Sequence, residues 1–426
     1  MAATTPDVAL SQRPTRQLPQ WQLIQLSLYW LGINVLIGGV EYILQPRTEA
    51  LVGTEHVGSA SALITAIGMV VAILVQPVAG ALSDHTISRW GRRKPYIFIG
   101  ATLDVVFLAG IAFSDTFVSL IAFFALLQFS SNFAQGPFQG YVPDLVPPKQ
   151  VGLASALMGI MIVLGRVVGV LIATVGLFTG NWVVATLGVG VLELATAVVT
   201  LVTVDEGRAA RSRGGRSWLR VALSTWGLDI LRERSYCWLI ASRLFLLMGP
   251  FILTRLIFFY LTRSHGLSDE ETGFWSNVAT IPVAIATLLT TYPAGRLSDR
   301  LGRKPLIYAS ALIGAAGMLG VALAPTPLVA VLFAAVVGVG AGAFLAVDWA
   351  LMTDLIPKAE SGRYMGISNL AGGASGPIAL WITGFALDAV TTVDVAAGPR
   401  VAYLVTILFY AVGALLLRPV KERRPA

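Results

Sequence analysis

The sequence predicts an all-α membrane protein, with twelve transmembrane helices in two pseudo-symmetric six-helix bundles. Three observations predict it. The 426 residues are 56% hydrophobic and only 12% charged, against about 25% charged in a soluble domain. Apolar runs long enough to cross a bilayer recur along the chain. Loop motifs of the first half return in the second.

The elements follow in chain order. Residues 1–20 contain Pro6, Pro14 and Pro19 and no apolar core, so they read as a disordered cytoplasmic tail, not a signal peptide. Apolar runs at 21–45, 57–82, 95–114, 117–142, 153–178 and 182–204 give spans 1 to 6 and an N-terminal bundle over 21–204. The polar stretch 205–235 reads as a central loop, and WLRVALSTWGLDIL inside it has the spacing of a helix lying on a membrane surface. Runs at 236–262, 268–294, 305–324, 327–353, 364–388 and 400–417 give spans 7 to 12 and a C-terminal bundle over 236–418, with a tail at 419–426.

Charge sets the orientation. With the N-terminus inside, 24 of the 30 Lys and Arg fall in inner segments, and only Arg47, Arg263 and Arg400 fall outside. That bias places both termini and the long loop in the cytoplasm, and the net charge of +7 reports those loops, not a nucleic-acid surface. The lone Cys237 forms no internal disulfide.

The repeat is explicit. AGALSDHTISRWGRRKP at 79–95 answers AGRLSDRLGRKP at 294–305, and GYVPDLVPPKQVG at 140–152 answers ALMTDLIPKAESG at 350–362. Asp84 maps to Asp299, Asp144 to Asp354 and Pro147 to Pro357 at offsets of 215, 210 and 210. Near-constant offsets close to half the chain indicate two duplicated bundles. Twelve spans, a long central loop and G-x-x-S-D-x-x-G-R-[RK] after spans 2 and 8 resemble the major facilitator superfamily over essentially the whole chain. The longer first copy, S-D-(x)6-G-R-R-K-P, resembles the sucrose/proton symporters and the glycoside–cation symporters. NFAQGPFQGYVPDL is similar to the fourth-span signature Q-G-P-x-R-A-L-x-A-D-L of the sucrose symporters, with Gln139 where they carry arginine.

The resemblance implies roles. Asp84, Arg92, Arg93 and Asp144, with Asp299, Arg303 and Asp354 as their repeat, would form the ion pairs of a cytoplasmic gate. Arg89 and Lys94 instead suit the positive-inside rule. Spans 1, 4, 7 and 10 would surround the cavity. Gln128, Asn132, Gln135 and Gln139 share one face of span 4, and Trp30 and Asn34 lie on a polar face of span 1. Amides bond hydroxyls and Trp faces pack on sugar rings, so these residues, with Trp349 and Trp381, are the cavity candidates. Interhelical hydrogen bonding is the alternative for the amides, and an interface belt for each Trp. Glu41 and Arg255, at matching depths of spans 1 and 7, are expected to pair as an outer gate, and Asp348 is the candidate proton carrier. Asp104 and Glu193 read as structural partners of Arg166, and Arg243 as a residue that snorkels to the inner surface. QGP at 135–137 and GGASGP at 372–377 read as hinges or as close-packing sites.

Other chemistries are missing. No phosphate-binding G-x-x-x-x-G-K-[ST] occurs, and His56, His85, His265 and Cys237 offer no catalytic pair or metal set. No enzyme, cofactor or metal is expected. The expected function is secondary active transport of a sugar or glycoside with a coupling proton or sodium ion, in the plasma (inner) membrane, by a monomer. The alternatives are proton-driven export of amphipathic compounds and a non-transporting receptor or assembly factor.

Overall fold

The computed structural model describes residues 14–53, 56–206, 215, 217–226, 232–357 and 360–422. Among them, twelve helices are long and apolar enough to cross a membrane. Spans 1 to 6 are Gln20–Val52, Val57–Asp84, Lys94–Ala112, Phe117–Phe138, Val151–Phe178 and Trp182–Thr203. Spans 7 to 12 are Arg234–His265, Asp269–Leu301, Arg303–Leu323, Pro327–Leu355, Ser361–Thr391 and Ala397–Leu416. Several outrun their hydropathy. Span 1 continues through Pro46, Arg47 and Glu49 to 33 residues, about 50 Å at 1.5 Å per residue. A helix satisfies its own backbone, so it can continue past the apolar slab.

Among the described residues, two short α-helices and a 3-10 turn at Pro148–Gln150 fall between the spans. The helix Tyr141–Leu145 follows the break at Gln139–Gly140 that ends span 4. The helix Trp218–Ser224 is capped by Ser217, buries Val221 and exposes Leu219 and Leu223. Residues 227–231 of the expected amphipathic segment, and residues 1–13 of the expected tail, lie outside the described residues. The end of that tail departs from disorder: Leu18 N–H donates to Gln150 Oε1, and Gln150 Nε2 donates to Leu18 O, each at 2.8 Å.

The helices cluster into two compact units. The first holds Met1–Gly227 with Ile356–Ile367, and the second holds Leu228–Leu355 with Ser368–Ala426. The stretch 356–367, which the sequence boundary gives to the C-terminal bundle, therefore groups with the first unit. Inside the first unit, Gly165 and Gly169 of span 5 lie on the backbone of span 1; an added Cβ would come within 2.3 Å of the Leu31 carbonyl and 2.2 Å of that of Val35. Inside the second, Gly338 and Gly342 of span 10 meet Val283 and Thr287 of span 8 at 2.6 and 2.3 Å in the same way. Small residues four apart let helix backbones meet where no water drives them together.

Candidate functional site

The loop after span 2 builds a charged cluster in the first unit. Asp84 ends span 2 and Arg93 caps span 3. Arg93 is buried, and it donates from Nη2 to Asp84 Oδ1 at 3.0 Å, from Nε to Asp144 Oδ2 at 2.8 Å and from Nη1 to the Pro137 carbonyl at 2.8 Å. Arg92 pairs with the same Asp144 oxygen. In the second unit Arg303 Nη1 donates to Asp299 Oδ1 at 2.7 Å and Nε to Asp354 Oδ2 at 3.2 Å. One arginine fork thus bridges two acids in each unit, a task its planar geometry suits. Arg89 takes no part; its guanidinium stands over the Trp90 ring at 6.0 Å.

Each arginine is held from behind by a glutamate that lies outside the repeated motif. Glu206, just past span 6, accepts from the Arg93 N–H at 3.1 Å and the Lys94 N–H at 3.0 Å. Glu422, just past span 12, accepts from the Arg303 N–H. A carboxylate at a helix N-terminus meets unpaired N–H groups and a favourable dipole. The signal was present: Val-Asp-Glu at 204–206 answers Val-Lys-Glu at 420–422. Gly91 and Gly302 explain the glycine of the motif. Their φ values are +116° and +96°, and an added Cβ would meet the Glu206 carboxylate at 1.9 Å or that of Glu422 at 2.9 Å. Burial pushes the Glu206 pKa above its ordinary value, against the lowering effect of the Lys94 and Arg93 N–H groups. Burial also opposes the Arg93 charge, but Asp144 and Asp84 more than offset it and raise its pKa.

The start of span 11 docks on this cluster, within the first unit. Ser361 Oγ donates to Asp144 Oδ1 at 2.8 Å and accepts from Arg93 Nη2 at 2.7 Å. The Gly362 and Arg363 N–H groups both reach the Asp84 carboxylate at 3.3 Å. Arg363 Nε donates to the Thr225 carbonyl at 3.0 Å. Asp84 therefore caps span 11 as well as pairing with Arg93. The repeat held a trace of this too, since the aligned segments end in Val151-Gly152 and Ser361-Gly362.

The polar face of span 4 divides. Asn132 Nδ2 donates to the Gln128 carbonyl at 2.7 Å, and Asn34 Nδ2 on span 1 donates to the Trp30 carbonyl at 2.9 Å. Both amides thus bond their own helix. The Gln128 amide rests against span 2, where a Cβ at Gly68 would meet it at 2.7 Å. Gln135 is half-buried. Gln139 differs: it is buried, and neither its Nε2 nor its Oε1 has a hydrogen-bond partner. Trp30 is buried with its ring 5.5 Å from that of Phe138, the residue before Gln139. Trp349 is buried under the Arg243 guanidinium at 5.2 Å. Trp381 is the exception among the aromatic candidates. It is 68% exposed, opposite the buried line Ser375, Ala379 and Thr383, and packs edge-on against Phe385. An exposed Trp–Phe pair suits a lipid-facing surface better than a cavity wall.

The intramembrane charges require two corrections. Arg166 pairs with Glu41 at 3.6 Å, both more than half exposed, and not with Asp104 or Glu193. Those two acids are fully buried, and each keeps one carboxyl oxygen without a hydrogen-bond partner. Arg243 does not snorkel outward; it is buried and reaches Asp348 Oδ2 at 2.8 Å. Arg255, the expected partner of Glu41, stands over the Phe251 ring at 5.3 Å within its own unit.

With this geometry in place, known proteins give a consistent match. The family model described as Major Facilitator Superfamily matches residues 27–287 and 256–426. The sucrose transport protein SUT1 of Oryza sativa is 28% identical over 178 residues, 35% of this chain and 32% of that protein. The chain thus matches about a third of that relative's length. The human organic anion transporter MFSD10 superposes with a TM-score of 0.72 at 16% identity, over 94% of this chain and 100% of that one. The E. coli fucose:proton symporter FucP gives 0.72 at 14% identity, over 96% and 100%. At such identities the structures share the fold alone.

Proposed function

From the premise that this chain belongs to the Major Facilitator Superfamily, a family of membrane transporters and not of enzymes, we propose that it moves a sugar or glycoside with a coupling proton by alternating access. The observation that carries the cargo is the buried Gln139 amide, whose donor and acceptor both lack a partner. An unsatisfied buried amide is costly, and a polyhydroxy ligand supplies both a donor and an acceptor. Trp30 and Asn34 on span 1, with Asn132 and Gln135 on span 4, complete the proposed polar and aromatic surface. The match to SUT1 supports the same cargo class.

The two arginine clusters are the proposed gate on the cytoplasmic side. Buried ion pairs are costly to separate singly, but a set with two arrangements makes a switch. The bonds from Ser361, Gly362 and Arg363 to Asp144 and Asp84 are what such a switch would make and break. Asp348 is the proposed proton carrier: protonation would discharge its pairing with Arg243 and free the guanidinium over Trp349. Glu41, with Arg166 as well as Arg255, is the proposed outer charge set.

Uptake into proteoliposomes under an imposed proton gradient, against a sugar panel, tests the reading. Accumulation of a sugar that is lost in Gln139→Leu supports it. Accumulation unaffected by Gln139→Leu removes that amide from the site, expulsion of amphipathic cations would favour the exporter, and absence of flux with any solute would favour the receptor.

A further inference from the structure

We propose that Asp104 and Glu193 share one proton and form a proton-binding site inside the first unit, apart from both arginine clusters. The two residues come from spans 3 and 6, and both side chains are fully buried. Each has one ordinary donor. Ser130 Oγ of span 4 donates to Asp104 Oδ1, and Tyr29 Oη of span 1 donates to Glu193 Oε1 at 2.9 Å. The remaining oxygens, Asp104 Oδ2 and Glu193 Oε2, receive no N–H or O–H from the described residues. Yet the two carboxyl groups lie within hydrogen-bonding reach of each other.

Two carboxylates cannot hydrogen-bond without a proton between them. Two adjacent anions in an apolar interior, with no counter-charge, are strongly disfavoured. Among the described residues, the titratable groups at the pair are the two acids themselves and Tyr29, and no Lys, Arg or His forms an ion pair with either acid. Arg166, the cation the sequence offered, is engaged with Glu41. A single proton satisfies both open oxygens and leaves one negative charge, which the Tyr29 and Ser130 hydroxyls stabilise.

Four spans meet at this proton. When it is present, spans 3 and 6 are joined through it, with span 1 tied by Tyr29 and span 4 by Ser130. When it leaves, the pair becomes two repelling anions among apolar neighbours. Tyr29 precedes Trp30 on span 1, so the site adjoins the proposed cargo surface without being part of it. The site does not depend on the cargo being a sugar, nor on transport.

Infrared spectroscopy of the purified full-length protein tests it, in ordinary and heavy water. The expected result is an un-ionised carboxyl C=O band at neutral pH that shifts in heavy water. That band should vanish in the Asp104→Asn/Glu193→Gln double variant and move in Tyr29→Phe, which removes one donor. The folded protein holds a proton that the unfolded chain releases above about pH 4, so wild-type stability should fall as pH rises until the pair ionises. The double variant should lack that slope, and the Asp104→Asn and Glu193→Gln single variants serve if the double variant misfolds. Identical carboxyl bands and identical pH profiles in wild type and variants would overturn the proposal. So would a sodium-dependent stabilisation of wild type at fixed pH that the variants lose, since that would make the site a metal-cation site.

Discussion

Arg93 donates to Asp84, Asp144, Pro137 and Ser361 from a side chain with no solvent exposure. Deleting it removes the ion-pair partner of buried Asp84 and leaves Asp144 with Arg92 alone, so Arg93→Ala should destabilise the protein by about 3–5 kcal/mol. Arg93→Lys should recover little, because an ammonium cannot span the same forked acceptors. Arg89→Ala should stay within about 0.5 kcal/mol. Thermal unfolding in detergent compares the three. Glu206 adds a pH signature. Burial raises its folded-state value above the unfolded value of about 4.3, so the stability it contributes is fully present below about pH 4.3. That contribution is lost as pH rises through the folded-state value. Glu206→Gln keeps an acceptor for the Arg93 and Lys94 N–H groups but removes the titration. The variant's unfolding midpoint should therefore gain on wild type as pH rises, and a constant difference would contradict this. The divided roles of Arg93 and Arg89 could be read from the repeat, which pairs acids with one arginine and not the other. The fate of Arg243 could not: its place near a helix end suggested snorkelling, and only the packing of span 7 beside span 10 brings Asp348 to it.

At the scale of the helix, the bend before spans 3 and 9 depends on glycine. Gly91→Ala and Gly302→Ala each place a Cβ in left-handed backbone, at about 1–2 kcal/mol, and also displace the Glu206 or Glu422 cap. Loss of span 3 or span 9 amide protection in hydrogen exchange is the expected readout. Span 11 offers a second test. The Gly362 and Arg363 N–H groups rest on Asp84, so Asp84→Ala should speed their exchange while span 5 retains its protection. The sequence showed the acids and arginines of these turns because they recur at fixed offsets. It hid the glutamates because they lie more than a hundred residues from the turns they cap. It left Trp381 open between a cavity wall and a lipid belt, since aromatic residues suit both, and the exposed Trp381–Phe385 pair favours the belt.

For the whole molecule, coupling is the property to test. Asp348→Asn should abolish uphill uptake driven by a proton gradient while leaving solute exchange across the membrane at near wild-type rate. Loss of both would make Asp348 a structural partner of Arg243 instead. The twelve spans were legible as apolar runs, and the duplication as paired motifs. The meeting of Asp104 with Glu193 was not, because nothing in two acids 89 residues apart says that their helices pack together. The glutamate caps carry a last consequence, for ancestry. Each fastens the exit of a six-helix set to the turn between its second and third helices, by the same residue after the same valine. What was copied was therefore a self-closing module of six helices and a three-residue clasp, not six helices alone. The segment joining the two copies in sequence begins only after Glu206. Recombination between relatives should then succeed when the crossover lies downstream of Glu206 and fail when it falls at the end of span 6.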